Sequence, residues 1–183
     1  MRKQMKYMVG DFETTVYDGQ TYTEVWASAI VELGTEDVKI HHSIRETYNY
    51  LYNLKQNICI YYHNLKFDGS FWLSFLLTDL KYEQKIYVNP NNDSDVHFLK
   101  EKDLTPKSFV YSISDMGQWY SIHIKTPYAM IEIRDSLKLL PFSVEQIGKS
   151  FQTKHRKLNM EYKGVRHAGC PITDNEKRYI AND

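Results

Sequence analysis

Asp11 and Glu13 stand two residues apart at the end of an apolar run, Lys6-Tyr7-Met8-Val9-Gly10-Asp11-Phe12-Glu13. Side chains alternate faces along a β-strand, so both carboxylates are expected to point the same way. Asp68 follows a second apolar run, in Tyr61-Tyr62-His63-Asn64-Leu65-Lys66-Phe67-Asp68-Gly69. Tyr179 and Asp183 are four apart and share one face of an expected helix. Carboxylates gathered from separate elements repel one another unless cations sit between them. Oxygen donors of this kind suit Mg²⁺ or Mn²⁺. Two such ions about 3.5–4 Å apart can activate a water and stabilise the leaving oxygen of a phosphodiester. A phenol beside them can orient that water, and a lysine can offset charge building on the phosphate.

Each signal has an ordinary explanation when taken alone. With 23 acidic residues in 183, an acid-x-acid spacing arises roughly three times by chance. Asp68 could simply cap a following helix. The surroundings carry more weight. Asp11 and Glu13 end an apolar strand, the place where open α/β sheets bind ligands. His63, Asn64 and Lys66 offer hydrogen bonds and charge near Asp68, and Phe67 and Phe71 offer ring faces, the mixture that suits an unpaired nucleic-acid strand.

The elements that must position these residues follow from periodicity and turn chemistry. Lys6 to Phe12 and Thr21 to Leu33 read as strands joined at Asp18-Gly19. A third strand, Asp37 to His42, completes an antiparallel meander. Ser43 and Glu46 form a capping-box pattern that opens a helix to about Gln56, with Ile44, Tyr48, Leu51 and Tyr52 as its apolar stripe. Asn57 to Tyr62 reads as a buried strand, and Gly69 to Leu80 as a helix with Phe71, Trp72, Phe75 and Leu76 inward. Residues 89–107 read as a polar loop or insertion. Ser108 to Ser114, Gln118 to Ile124 and Ala129 to Asp135 read as strands. Ser143/Gln146 and Thr173/Glu176 mark two further helix starts, the second helix running to Asp183. Strands first and then strands alternating with helices predict an α/β domain with one mixed sheet and helices packed on it.

Composition sets wider bounds. Hydrophobic content of 42% and charged content of 25% are ordinary for a globular chain. Net charge is zero. This does not advertise a nucleic-acid binder, but an acidic pocket would cancel basic residues that face phosphates. The two cysteines, Cys59 and Cys170, make neither a zinc pattern nor a disulfide framework, so a reducing compartment is expected. No apolar stretch approaches the ~18 residues that would cross a membrane.

The motifs together resemble the N-terminal exonuclease domain of protein-primed family B DNA polymerases from phages. Asp11-Phe12-Glu13-Thr14, His63-Asn64-Leu65-Lys66-Phe67-Asp68-Gly69 and Tyr179-Ile180-Ala181-Asn182-Asp183 are similar to that family's three exonuclease motifs. Met116-Gly117-Gln118-Trp119-Tyr120 and Asp135-Ser136-Leu137-Lys138 are further matches, so the likeness spans Lys6 to Asp183.

The resemblance implies a ribonuclease H-like exonuclease fold, with a mixed central sheet flanked by helices. It implies one domain over residues 1–183 without the polymerase domain. It also implies 3′–5′ trimming of single-stranded DNA by two divalent ions, Mg²⁺ or Mn²⁺. Asp11, Glu13, Asp68 and Asp183 would hold the metals, Tyr179 would orient the water, and Lys157 would face the scissile phosphate. Thr15, Tyr61, His63, Asn64, Phe67, Phe71, Ser136, Leu137 and Tyr162 would grip the strand, Phe71 also matching a position linked to the priming protein. Expected partners are a single-stranded DNA 3′ end and a priming terminal protein, for a monomer in the cytoplasm (the host's, if phage-encoded). Because Asp183 closes the chain at a helix end, a mobile fourth ligand and weakened metal binding are expected. Competing readings are a catalytically weak fragment that binds single-stranded DNA or docks the priming protein, and a ribonuclease.

Overall fold

A computed structural model describes residues 4–89, 91–98, 100–153, 158, 160 and 165–182. The chain begins with strand β1 (Lys6–Thr14), which turns back into β2 (Val25–Glu32) and then β3 (Val38–His41). These pair antiparallel, with Asp11 opposite Ala29 and Glu13 opposite Ala27. Helix α1 (Ile44–Asn53) leads to β4 (Ile58–Tyr62), which is parallel to β1 from Lys6↔Ile58 to Val9↔Tyr61. Helix α2 (Leu65–Ser74) follows and widens into a π turn, Phe75–Asp79.

Next come β5 (Glu83–Gln84), the hairpin β6 (Ile86–Asn89) and β7 (Asn92–Phe98), and then β8 (Ser108–Ile113), β9 (Trp119–Lys125) and β10 (Met130–Asp135). Helices α3 (Val144–Ser150) and α4 (Asp174–Ile180) complete the order. The main sheet has eight strands in the order β3-β2-β1-β4-β10-β9-β8-β5. Its β1–β4, β4–β10 and β5–β8 pairs are parallel and the rest antiparallel. This is the mixed sheet flanked by helices that the sequence pattern predicts.

The larger core lies on one face of the sheet. Met8, Phe12, Ile30, Ile58, Ile60 and Tyr62 face Leu51 of α1 and Leu65 and Trp72 of α2. On the other face, Ile180 of α4 with Cys170 and Ile172 packs on Trp26 and Ala27 of β2. Both cysteines are free and buried. Among the described residues no helix is long and apolar enough to cross a membrane.

Several boundaries differ from the sequence reading. β2 begins at Val25 rather than Thr21, after a segment whose polar residues bond locally, as in Gln20 to Thr23. At α1, Ser43 accepts from Glu46 N–H as expected, but the Glu46 carboxylate takes the N–H of His42 instead of completing the box at Ser43. Helix α2 starts at Leu65, not Gly69, because Asn64 adopts a left-handed conformation (φ 64°) and turns the chain into the helix at once. Part of the expected loop over 89–107 is strand, since Ile86–Asn89 and Asn92–Phe98 pair antiparallel with each other. Helix α4 stops at Ile180, where Ala181 takes over as its C-terminal cap. The capping boxes at Ser143/Gln146 and Thr173/Glu176 form with both reciprocal bonds.

Candidate active site

The site forms where β1 and β4 part. Their parallel pairing ends at Val9↔Tyr61, and β1 continues alone on that side through Asp11, Phe12 and Glu13. Asp68, in the first turn of α2, reaches into the gap and receives the backbone N–H of Phe12. Asp68 is only 2% exposed. Burial first, and then the charge of Asp11 with a smaller push from Glu13, drive its carboxyl up to about 8, against the backbone donors that favour the charged form. Its Oδ1 is buried and completes no hydrogen bond. A buried carboxylate with an unmatched oxygen and two like charges beside it fits a cation site, because a cation relieves both penalties together.

Among the described residues no three His, Cys, Asp or Glu side chains converge closely enough to hold a metal by themselves. The fourth expected ligand, Asp183, lies outside the described residues, as do Lys157 and Tyr162. Tyr179 is half-buried and packs against the cluster of Trp26 and Ile180. Ile180, Ala181 and Asn182, beyond it, line a groove of about 520 Å³ that also contains Asp11, His63, Asn64 and Ser136. The expected third motif therefore meets the first two at one groove.

A hydrogen-bonded lattice sets the groove's other wall. Buried Asp135, the last residue of β10, accepts through Oδ1 from the backbone N–H of Asn64 at 3.1 Å and of Leu137 at 2.9 Å. The Ser136 hydroxyl donates to the Tyr62 carbonyl at 3.2 Å. Its one proton is thereby committed, so the His63 contact at 3.1 Å runs from Nδ1–H to Ser136 Oγ. In a neutral imidazole this leaves Nε2 as the acceptor. The order of the second motif thus depends on Asp135, whose place in a matching tetrapeptide was visible but whose role was not, because the contact spans 71 residues of sequence.

The remaining expected grip residues divide. Phe67, 48% exposed, and Phe71 meet edge to face with centroids 5.4 Å apart, leaving an aromatic surface on α2. Tyr61 and Leu137 are half-buried at the strand ends. Thr15 is buried, and its hydroxyl oxygen takes the Glu24 N–H at 3.0 Å, so it ties β1 to the chain entering β2.

The profile of the family "DNA polymerase type B, organellar and viral" matches residues 50–182, more than half of the chain. The chain belongs to that family. Among its relatives, the DNA polymerase of Bacillus phage B103 is 34% identical over 180 residues, covering 94% of this chain and 28% of the relative. The DNA polymerase of Streptococcus phage Cp-1 is 33% identical over 159 residues, covering 80% of this chain and 23% of the relative. Solved structures agree. Phi29 DNA polymerase complexed with single-stranded DNA superimposes with a TM-score of 0.76 at 30% identity, covering 97% of this chain and 29% of that one. The same polymerase complexed with primer-template DNA gives 0.78, again at 30% identity, with coverage of 98% and 29%. The chain spans under a third of the length of these family B polymerases. The likeness drawn from the three motifs is borne out as a family assignment, and the mixed α/β fold is the one shared with phi29 polymerase.

Proposed function

We propose that this family B polymerase chain is a metal-dependent 3′–5′ exonuclease acting on single-stranded DNA. The observation that carries the reading is the buried Asp68 carboxyl at the parting of β1 and β4, near enough to Asp11 and Glu13 for their charges to raise it, beside a groove edged by Asp11, His63, Asn64 and Ser136. Asp11, Glu13, Asp68 and Asp183 would hold two divalent ions, Mg²⁺ or Mn²⁺, which when bound would activate water and stabilise the departing 3′-oxygen.

The chain's own residues do the rest. The Phe67–Phe71 pair supplies ring faces for unstacked bases. His63 is held through Nδ1 by Ser136, and Asn64 is fixed through Asp135. Tyr179 would orient the attacking water and Lys157 would face the scissile phosphate. The matched structure of phi29 DNA polymerase is complexed with single-stranded DNA, which supports a single-stranded substrate. A priming terminal protein is the proposed second partner.

The test is Mn²⁺-dependent release of nucleotides from a 3′-labelled single-stranded oligonucleotide, with Asp11→Ala/Glu13→Ala alongside. Stepwise loss from the 3′ end that disappears in the variant is expected. Tight oligonucleotide binding without hydrolysis in both proteins would make the chain a binding fragment instead. Equal cleavage of an RNA oligonucleotide would remove the DNA specificity.

A further inference from the structure

Behind the carboxylates, on the core side of β1, lies a second set of polar atoms. Tyr62 ends β4, is fully buried, and lays its ring across Gly10. A Cβ at Gly10 would stand 2.9 Å from Tyr62 Cζ and 3.0 Å from its oxygen, so the phenol reaches β1 one residue before Asp11. Asp68 reaches the same strand two residues further on, at the N–H of Phe12. Trp72 lies one helical turn after Asp68 on α2, and its indole N–H faces the phenol oxygen without closing to a full hydrogen bond. The Phe12 ring packs on both, with centroids 5.1 Å from Tyr62 and 5.7 Å from Trp72.

Tyr62 Oη, Trp72 Nε1 and Asp68 Oδ1 are all buried, and none completes a hydrogen bond. A buried polar group left unmatched is costly, so three close together in the core call for a reason. Their chemistry is complementary. The indole can only donate, the phenol oxygen can accept from it and donate onward, and a carboxylate oxygen can only accept. A phenol carries its proton at neutral pH and so can donate. A phenylalanine would fill the same ring volume, so the oxygen is the addition that packing does not explain.

We propose that Tyr62 is a positioning residue for Asp68: its O–H is the buried donor available to close on the unmatched Asp68 Oδ1, Trp72 backs the phenol oxygen, and together they orient a carboxylate that would hold a divalent cation with Asp11. The proposal rests on the metal-site reading above. Gly10 belongs to the device because a side chain there would displace the phenol.

The experiment is an Mn²⁺ titration followed by electron paramagnetic resonance, on the parent chain, Tyr62→Phe and Trp72→Phe. Partners that orient metal ligands contribute about 10–100-fold to affinity. Tyr62→Phe is expected to weaken Mn²⁺ binding about 10-fold, with a smaller loss in Trp72→Phe. Oligonucleotide binding without metal and the melting midpoint of Tyr62→Phe should not fall, and in turnover kcat should drop while KM holds. A Tyr62→Phe dissociation constant within about twofold of the parent's overturns the positioning role alone, well short of the expected range. A parent that takes up no Mn²⁺ overturns the metal-site reading and this inference together.

Discussion

Gly69 and Trp119 leave no room for a side chain between them: a Cβ on Gly69 would lie 2.7 Å from Cζ3 of Trp119. Helix α2 and strand β9 therefore touch at the residue next to Asp68. Alanine favours helix by about 1 kcal/mol over glycine, but overpacking a tight contact costs about 1–3 kcal/mol. Gly69→Ala should lose up to about 2 kcal/mol net in urea unfolding. It should also lose the proposed nuclease activity, because α2 cannot yield without moving Asp68. Adding Trp119→Leu should restore most of both. An additive double-mutant cycle would show that this contact does not constrain the helix.

Asp68 illustrates stability given up for a site. Its folded carboxyl titrates near 8, raised by burial and by Asp11. A raised acid is neutral in the fold at a pH where the unfolded chain is already ionised, so its contribution to stability falls as pH rises from about 4 to about 8. At pH 9, Asp68→Asn should therefore melt higher than the parent without metal. Added Mn²⁺ should raise the parent's midpoint and leave the variant's where it was. A variant that melts lower in metal-free buffer would mean that hydrogen bonds to Asp68, rather than its buried charge, decide the balance.

Helix α4, which carries Tyr179, is fastened by Arg166. The guanidinium donates to buried Glu176 from Nε at 3.0 Å and also from Nη2, and it lies over the Trp26 ring at 5.5 Å. Burial would raise the Glu176 carboxyl, but the Thr173 donors and Arg166 outweigh it and hold it below its ordinary 4.5. A depressed acid contributes stability above its unfolded value and loses it as pH falls through the folded one. Unfolding followed from pH 6 to pH 3 should show a loss below about 4.5 that Glu176→Gln abolishes. Arg166→Met, leaving a buried carboxylate without its cation, should cost about 3 kcal/mol. An unchanged melting curve would remove α4 docking from the site's supports.

Much of this arrangement is legible in the sequence, because local chemistry writes it there. The period of two in Met8, Gly10 and Phe12 against Val9, Asp11 and Glu13 fixed which side chains share a face. The hydroxyl-x-x-acid/amide patterns located α3 and α4. The start of α2 was hidden because Asn64 and Gly69 both resemble loop residues. Asn64 serves as a left-handed entry, and Gly69 is small for the sake of Trp119, fifty residues on in the chain. The β6–β7 hairpin was missed because β7 opens on the polar run Asn92-Asp93-Ser94-Asp95 and, among the described residues, the two strands pair only with each other. Tyr62 and Trp72 carry no motif of their own, and the tetrapeptide that holds Asp135 does not reveal its role. Their meaning lies in contacts made across the sheet.

Asp135 offers the clearest separation of strand binding from metal binding. Its Oδ1 alone receives the N–H groups of Asn64 and Leu137, and asparagine keeps an acceptor oxygen at that position. Asp135→Asn should therefore fold and bind oligonucleotide within about threefold of the parent, about 0.7 kcal/mol. Asp135→Leu strands both N–H groups in a buried site, a penalty of about 1–3 kcal/mol for each. It also releases Asn64 from its left-handed turn and frees the Ser136–His63 pair beside it. The Leu variant should bind single-stranded oligonucleotide at least tenfold more weakly, a difference of about 1.4 kcal/mol, while Mn²⁺ uptake at Asp11 and Asp68 persists. Fluorescence anisotropy of a labelled oligonucleotide, read alongside the Mn²⁺ titration, separates the two effects. Equal losses in both assays would mean that Asp135 holds the metal carboxylates as well as the groove wall, and the site would have to be treated as one cooperative unit.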